Sequence, residues 1–166
     1  LGGIFAPAAA KISEAQLEEQ ARYLQERIKA LKDKDRLQEA YYDLANIYTK
    51  IPDFARAKEA YLKAIDLNTS SKLAWKCRFI LAWNEKRQGN FEEALKDFEI
   101  LSQAAGEDKL AMLSKYQVAD TYRKKGDYQK AAEIYQEVGA EEQDKDLASL
   151  AEFRAGYTYL YDLKDY

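Results

Sequence analysis

The stretch EAYYDLANIYTKIPDFARAKEAYLKAIDLN, residues 39–68, decides the fold of this 166-residue chain. Its first half has the spacing of one helical face, with apolar or small side chains at i, i+3, i+4 and i+7: Tyr41, Leu44, Ala45 and Tyr48. After a break at residues 51–53, the second half has a similar pattern at Ala57, Tyr61, Ala64 and Ile65. Pro52 and Asp53 in the break stop one helix and cap the next. The stretch therefore predicts two antiparallel helices joined by a tight turn.

The same pattern recurs along the chain in steps of 37 residues. Small residues recur at Ala45, Ala82, Ala119 and Gly156, and again at Ala57, Ala94 and Ala131. Aromatic residues recur at Phe54, Phe91 and Tyr128, at Tyr61, Phe98 and Tyr135, and at Tyr42, Phe79, Tyr116 and Phe153. Two helices approach closely only where a small side chain lies at their crossing, so these series predict stacked helix pairs. The residues expected to cap the second helices are Asp53, Asn90 and Asp127.

This pattern resembles the tetratricopeptide repeat family. The resemblance is carried by residues 39–68 and by the segments FILAWNEKRQGNFEEALKDFEIL, residues 79–101, and YQVADTYRKKGDYQKAAEIYQEV, residues 116–138. It implies an all-α fold, an α-solenoid of antiparallel helix pairs wound as a right-handed superhelix. Two features depart from the family pattern. Pro52 replaces the turn glycine of the first unit, and no proline closes any unit. The period is also longer than the family's commonest one of about 34 residues.

The repeat register also predicts the domain organisation. Residues 1–11 are expected to be an apolar leader or linker, and residues 12–33 an N-terminal capping helix or a degenerate repeat. Residues 34–166 are expected to form the repeat array, with units at about 38–71, 72–108 and 109–145 and a partial unit at 146–166.

The N-terminal residues leave two interpretations open. The apolar stretch LGGIFAPAAA, residues 1–10, is either the end of a secretory signal peptide or membrane anchor, or an irregular leader, including one added for expression. The helix that follows opens with a capping box at Ser13 and Gln16. Its apolar stripe favours a cap on the first repeat, although the same spacing would also suit oligomerisation.

At the other end, the chain stops at Tyr166, where a fourth unit finishes its first helix. Apolar residues at 156–161 would then present a surface that terminal repeats normally cover with a polar cap. The sequence therefore predicts that either the native protein continues or this edge meets another chain.

Composition limits the classes of function. Hydrophobic residues make up 47% of the chain and charged residues 33%, which is typical of a globular protein. The net charge of −3 supplies no positive field for nucleic acid. With no histidine and a single cysteine, Cys77, the sequence excludes a histidine general base and a multi-cysteine metal or disulfide framework. We therefore expect no catalytic residue, cofactor or metal, and a buried apolar role for Cys77.

In a stack of helix pairs, the first helices line a concave groove in which ligands usually bind. The residues predicted to line this peptide-binding groove are Tyr42, Asn46, Lys50, Phe79, Trp83, Lys86, Arg87, Tyr116, Asp120, Arg123, Phe153 and Tyr157. The rings would anchor a partner, and the basic residues would form a rim that attracts acidic groups. Two alternatives remain: the rings can pack against the adjacent helix, and bases in a last helical turn suit the helix dipole alone.

Trp83 differs most from its counterparts in register, which are Asn46, Asp120 and Tyr157. The chain is predicted to be a non-catalytic scaffold that binds a partner peptide or protein in the groove. The alternative is a self-assembly module that oligomerises through the N-terminal helix or the C-terminal edge. The resemblance also extends to bacterial envelope-associated relatives. It favours a periplasmic or cell-envelope location, with the cytoplasm as the alternative and membrane proximity only if the leader is an anchor remnant.

Overall fold

The computed structural model describes residues 12–103, 108–141 and 144–163. Its α-helices are α1 (Glu14–Ala30), α2 (Lys34–Lys50), α3 (Phe54–Leu67), α4 (Lys72–Gln88), α5 (Phe91–Ser102), α6 (Asp108–Lys125), α7 (Tyr128–Gly139) and α8 (Lys145–Tyr157), followed by a π-helical turn at Thr158–Asp162. Every regular element of the described residues is helical, which confirms the predicted all-α class. The leader predicted at residues 1–11 lies outside the described residues.

The second helices of the predicted pairs start at Phe54, Phe91 and Tyr128, and so keep the 37-residue step of the sequence. Each start follows a turn residue with positive φ. The φ angle is 86° at Gly89 and 93° at Gly126, where glycine adopts the left-handed region without a Cβ penalty. The same turn in the first pair places Pro52 at a φ of 29°.

Two of the three predicted N-caps act through their side chains. The backbone N–H of Arg56 donates to Asp53 Oδ1 at 3.0 Å, and that of Lys130 donates to Asp127 Oδ1 at 3.4 Å. These bonds satisfy an N–H group that has no partner within the helix.

Asn90 is the N-cap residue of α5, as predicted, but its side chain does not make the capping bond. Its amide Nδ2 instead donates to Glu85 Oε2 at 2.6 Å. This charge-assisted hydrogen bond orients the Asn90 side chain toward α4, and its Oδ1 accepts no N–H from the first turn of α5.

The chain divides into two compact units with the boundary between Ala74 and Trp75, and the described residues of each unit are considered separately. In the first unit, α2 and α3 form a helix pair in which Ala45 and Ala57 are almost fully buried. The Tyr61 hydroxyl of α3 donates to Asn46 Oδ1 of α2 at 2.7 Å. Small residues at the crossing and a ring beside it produce the close packing that the sequence predicts.

Helix α1 packs on this first pair. Its residues Leu17 and Ala21 are buried, and Gln25 Nε2 donates to the hydroxyl of Tyr48 in α2 at 2.9 Å. Glu18 accepts from Arg56 of α3 at 2.6 Å. Part of the apolar stripe that would suit oligomerisation is thus occupied within the chain.

In the second unit, first and second helices alternate around two apolar clusters. One cluster joins α4, α5 and α6 through Ala82, Ala94, Leu95, Phe98 and Val118. The other joins α6, α7 and α8 through Met112, Tyr116, Ala119, Ala131, Tyr135, Val138, Ala151 and Ala155. Each second helix therefore packs between two first helices, which brings α4, α6 and α8 to a common side.

Cys77 lies in α4 with a buried side chain, as predicted, and burial raises the pKa of its thiol to about 12. None of the described helices is both long and apolar enough to cross a membrane. Within the same residues, no group of three or more cysteine or carboxylate side chains is arranged to hold a metal ion.

Candidate functional site

The predicted groove residues of the first unit lie on α2. The ring of Tyr42 is half-buried, and its centroid lies 6.2 Å from that of Tyr61 on α3. Asn46 accepts the Tyr61 hydroxyl, and Lys50 is exposed at the end of the helix. In this unit, Tyr42 and Asn46 both contribute to the packing of their own helix pair.

The first helices of the second unit carry similar ring contacts at two of their predicted groove positions. The centroids of Phe79 and Phe98 lie 5.5 Å apart, and those of Tyr116 and Tyr135 lie 5.3 Å apart. Tyr116 is buried, and it belongs to the apolar cluster around α7. The expectation that Tyr116 lines a groove is therefore corrected, because its ring fills the space beside the small residue Ala119.

Lys86 also departs from the prediction, which placed it on a basic rim. Its side chain is only 2% exposed, and its Nζ lies 2.9 Å from Asp120 Oδ2. The same nitrogen donates to Gln117 Oε1 on the preceding turn of α6. Burying an ammonium group is costly unless carboxylate and amide acceptors surround it, so Lys86 links α4 to α6 and is not available to a ligand.

Two rings complete the surroundings of the Lys86 ammonium. Its Nζ lies 4.4 Å from the ring centroid of Trp83 and 5.8 Å from that of Phe98. The faces of these rings attract a cation through their quadrupole. Trp83 itself is 40% exposed, so one part of its ring covers Lys86 and another part meets solvent.

The pair shifts the pKa values of both of its members. Burial lowers the pKa of the Lys86 ammonium, although the hydrogen bond with Asp120 opposes that effect. Burial alone would raise the pKa of the Asp120 carboxyl, but the hydrogen bond and charge of Lys86 outweigh it and hold that pKa below its ordinary value. The lowered pKa keeps the Asp120 carboxyl ionised at neutral pH, and the hydrogen bond from Lys86 is the largest cause that lowers it.

Asp120 has a second hydrogen-bond partner, because its Oδ1 accepts the hydroxyl of Tyr135 at 3.3 Å. Burial, followed by the charge of Asp120, raises the pKa of that hydroxyl. The same relationship joins Asn46 and Tyr61 in the first unit. Where the ring is Tyr, the first helix carries an acceptor at this register position.

The helix pair α4–α5 lacks both the hydroxyl and its acceptor. Phe98 has no hydroxyl, and the matching position of α4 carries Trp83, which is not an acceptor. The sequence singled out Trp83 as irregular. The structure supplies the reason: with no hydroxyl to accept, the position is free to hold a ring that covers Lys86.

A second ion pair joins α6 to the π-helical turn. Arg123 Nε donates to Asp162 Oδ2 at 2.7 Å, and this hydrogen bond raises the pKa of the guanidinium. The guanidinium carbon lies 5.2 Å from the ring centroid of Tyr157, whose ring is 4.7 Å from that of Tyr161. Arg123 is therefore another predicted rim base that already has a carboxylate partner.

The remaining predicted residues are exposed. Arg87 lies at the solvent-facing end of α4, and Phe153 is 65% exposed on α8. Tyr157 is 37% exposed, and Tyr161 also meets solvent. Three residues of this region were not among the predicted groove residues: Gln117, Tyr161 and Asp162. Tyr161 could have been predicted, because it lies four residues after Tyr157 and so on the same helical face. Gln117 and Asp162 belong to no series that repeats along the chain.

These contacts form one surface in the second unit, which we call the Trp83 face: Trp83, Asp120, Arg123, Tyr157 and Tyr161. Asp120 and Arg123 lie one turn apart on α6, so the two ion pairs are neighbours. The two bases of these ion pairs, Lys86 and Arg123, each have a carboxylate partner. The face thus offers exposed rings beside two ion pairs.

Comparison with known proteins agrees with this architecture. Residues 38–71 and 116–148 each match a family model described as a tetratricopeptide repeat. A crystal structure from Podosopora anserina, described as a kinesin light chain with nearly identical TPR-like repeats, matches with a TM-score of 0.69 at 16% identity. The match covers 91% of this chain and 81% of that one. A single-substitution variant of the same protein matches with a TM-score of 0.70 at the same identity and coverage.

No curated protein matches the chain. Residues 38–71 and 116–148 are thus tetratricopeptide repeats, and the likeness to solved repeat structures shows that the chain shares their helical fold. The predicted α-solenoid class of antiparallel helix pairs is confirmed with it. Repeats of this family generally mediate contacts between proteins and generally serve as non-catalytic scaffolds.

Proposed function

We propose that the chain is a non-catalytic scaffold that binds a segment of a partner protein on the Trp83 face. The observation that carries the proposal is the combination of exposed rings with charges that are already paired. Rings such as Trp83 and Tyr157 bury a large area at a small cost in conformational freedom, and such residues dominate the binding energy of protein interfaces.

The same observation narrows the chemistry of the partner. An acidic peptide would have to compete with Asp120 for Lys86 and with Asp162 for Arg123, and both displaced carboxylates would lose their partners. An apolar or aromatic segment meets no such cost. We therefore propose an apolar partner segment in place of the acidic one that the sequence alone favoured.

The ring of Trp83 is held in place before any partner arrives. Its contact with the Lys86 ammonium at 4.4 Å fixes the ring plane, and Lys86 is itself fixed by Asp120 and Gln117. A side chain that is already ordered loses little entropy on binding, so more of the contact energy appears as affinity. The paired charges also leave Lys86 and Asp120 unsuited to proton transfer, which favours a scaffold over an enzyme.

A peptide-display selection tests the proposal. Random peptides of about 12 residues are selected on the full chain, and the enriched sequences are expected to be rich in aromatic and aliphatic residues without enrichment of Asp or Glu. Trp83→Ala and Tyr157→Ala should each weaken the selected peptides about tenfold or more. Tyr23→Ala, which removes an exposed ring on α1, is the matched control and should leave their affinity unchanged.

The salt dependence separates the two partner chemistries. Between about 50 mM and about 500 mM NaCl, the affinity of an apolar peptide should change less than about threefold, because few unscreened charges meet at the interface. Peptides that keep full affinity for Trp83→Ala and Tyr157→Ala would refute the Trp83 face as the binding surface. A steep loss of affinity with rising salt concentration would instead support an acidic partner segment.

A further inference from the structure

A cleft of about 120 Å³ lies between α1 and α3, over α2, in the first unit. Three of its lining residues are buried and form its floor: Leu44, Tyr48 and Ala60. The other lining residues are half-buried or exposed and form its rim: Gln25, Tyr41, Arg56, Glu59 and Lys63. We call this cavity the Ala60 cleft. Its lining residues all belong to α1, α2 and α3, so these three helices alone form it.

Contacts among the three helices hold the walls of the Ala60 cleft in place. Gln25 Nε2 of α1 donates to the Tyr48 hydroxyl of α2 at 2.9 Å. The guanidinium carbon of Arg56, on α3, lies 4.4 Å from the centroid of the Tyr48 ring. Arg56 also forms an ion pair with Glu18 of α1 at 2.6 Å. The cleft is therefore pre-formed, and a ligand does not have to order its walls on binding.

The same arrangement of three helices recurs two 37-residue steps later, in α5, α6 and α7 of the second unit. Glu99 has the place of Gln25 there, and it accepts the hydroxyl of Tyr122 at 3.4 Å. Lys130 has the place of Arg56, and its Nζ lies 4.1 Å from the ring centroid of Tyr122. The second trio of helices therefore shows how the chain itself fills the equivalent space.

Ala60 and its counterpart Ile134 account for the difference between the two trios of helices. The Ile134 side chain packs against both apolar clusters of the second unit. Isoleucine extends beyond the Cβ atom, where alanine ends, and so occupies the space that Ala60 leaves open. Protein interiors are close-packed, and a gap of this kind between helices is one that a side chain fills. The counterpart therefore indicates that a branched aliphatic side chain has the right shape for the cleft.

The edges of the two spaces also differ. In the second unit, Lys115 of α6 and Glu137 of α7 form an ion pair at 3.0 Å. The first unit has Tyr41 and Lys63 at these positions, and Lys63 Nζ lies 2.7 Å from Glu59 of its own helix. The edge of the Ala60 cleft thus has a ring where its counterpart has an ion pair between helices. A side chain from outside can enter at this edge without breaking such a pair.

The size of the cleft decides the class of ligand. Sites for small molecules and cofactors measure about 300–1,000 Å³. An apolar cavity of about 150 Å³ holds a single benzene ring. At about 120 Å³, the Ala60 cleft fits one aliphatic side chain. A buried floor inside a largely polar rim is also the arrangement of protein interfaces, in which polar groups surround a desolvated centre.

We propose that the Ala60 cleft receives one leucine or isoleucine side chain from a segment of a partner protein. The partner side chain takes the place that Ile134 takes in the second unit. The backbone on either side of it lies along the rim, where Gln25 and Glu59 offer an amide and a carboxylate to its peptide groups. This proposal goes beyond the Trp83 face and does not depend on it.

Short capped peptides test the class of side chain. The probe is acetyl-GSLSG-amide, with analogues that have alanine or tryptophan in place of leucine, titrated into the isotope-labelled full chain and followed by NMR. The leucine peptide should shift the backbone amide signals of Leu44 and Ala60 saturably, with weak affinity because a single side chain is buried. It should bind about fivefold or more tightly than the alanine peptide. The tryptophan peptide should leave these signals unchanged, since an indole is larger than the benzene ring that such a volume holds.

A substitution that fills the cleft is the decisive test. Ala60→Ile places the counterpart side chain in the space and should abolish the shifts caused by the leucine peptide. It should also raise the melting temperature by about 2 °C or more, so the loss of binding does not come from unfolding. Ala60→Val, with a smaller side chain, should weaken binding about threefold or more. Ala55→Ile adds the same atoms at an exposed position of α3 and is the matched control, which should bind as the wild type does.

The reciprocal substitution opens the counterpart space. Ile134→Ala should give the leucine peptide a second site, seen as new shifts at Val118 and Tyr122, with the fold checked by circular dichroism. Trp83→Ala should bind the peptide as the wild type does, which separates this proposal from the proposed function.

Three results would overturn the proposal. The leucine peptide could leave the signals of Leu44 and Ala60 unchanged, or it could bind Ala60→Ile as tightly as the wild type. The alanine or tryptophan peptide could also bind as tightly as the leucine peptide, and the cleft would then not select an aliphatic side chain.

Discussion

Lys86 of α4 and Asp120 of α6 form an ion pair across two successive first helices, with Lys86 Nζ 2.9 Å from Asp120 Oδ2. The lysine side chain is almost fully buried, whereas the carboxylate remains 18% exposed. The pair therefore ties neighbouring repeats together at the base of the Trp83 face. Because Lys86 and Asp120 belong to successive repeat units, loss of this ion pair should weaken the stacking of one repeat on the next.

Removing the carboxylate should destabilise the chain more than removing both charges. Asp120→Ala leaves the Lys86 ammonium buried without its counter-ion, and we expect the free energy of unfolding to fall by about 3 kcal/mol. The double variant Lys86→Met, Asp120→Asn removes the charges and keeps an acceptor for Tyr135, so it should recover most of that loss. Urea unfolding measures both, and a loss below about 1 kcal/mol for Asp120→Ala would show that Lys86 finds other partners.

The same pair predicts a specific acid limb in the stability profile. The pKa of Asp120 is lower in the folded chain than its ordinary value of 3.8, so the folded state holds its proton less tightly than the unfolded state. The resulting stabilisation is complete above that ordinary value and is lost as the pH falls through the lowered folded-state pKa. The free energy of unfolding is measured for wild type and Asp120→Asn from neutral pH to about pH 2. Their difference should shrink in the acid range, and a constant difference would contradict the assignment.

Trp83 and Phe98 stand where the first helix pair has the hydrogen-bonded residues Asn46 and Tyr61. Two substitutions can restore that hydrogen bond in α4 and α5. Phe98→Tyr alone introduces a buried hydroxyl opposite Trp83, which has no acceptor, and should lower the free energy of unfolding by about 1–3 kcal/mol. Adding Trp83→Asn restores the acceptor found in the first pair. A double-mutant cycle should give a favourable coupling of about 1 kcal/mol, and the absence of coupling would show that the register relationship does not set the choice at these positions.

Much of the fold was predictable, because the residues that set it are the ones that recur. Ala45 and Ala119 mark helix crossings, and a ring such as Tyr61 marks the space beside one; such local requirements are visible in sequence spacing. The turns were predictable for a similar reason, since a tight connection between helices needs glycine or a capping residue.

The site was less predictable, because burial there depends on contacts between successive units. Lys86 looks like a rim base at the end of a helix until α6 brings Asp120 and Gln117 to its ammonium group. Arg123 forms an ion pair with Asp162, which lies in a π-helical turn that no residue spacing in the sequence predicts. Asn90 begins α5 as predicted, but its amide donates to Glu85, a contact that the repeat spacing does not indicate.

The turn of the first pair provides a last test, because it places a proline where the other turns place glycine. Pro52 has a φ of 29°, while Gly89 and Gly126 have φ angles of 86° and 93°. A proline ring favours a φ of about −65°, so the turn holds Pro52 in a strained conformation. Pro52→Gly should relieve about 1–3 kcal/mol of strain, offset by up to about 1 kcal/mol of added freedom in the unfolded chain.

The expected net effect is a gain of about 1 kcal/mol in the free energy of unfolding, measured by urea denaturation. Gly126→Ala is the matched control, since a Cβ at this position meets no atom within 4 Å and the only cost is that of positive φ. It should lower the free energy of unfolding by about 1 kcal/mol. A loss of stability in Pro52→Gly, together with the expected loss in Gly126→Ala, would mean that the first turn adopts a different conformation suited to proline. The 37-residue register would then hold for the helices but not for every connection between them.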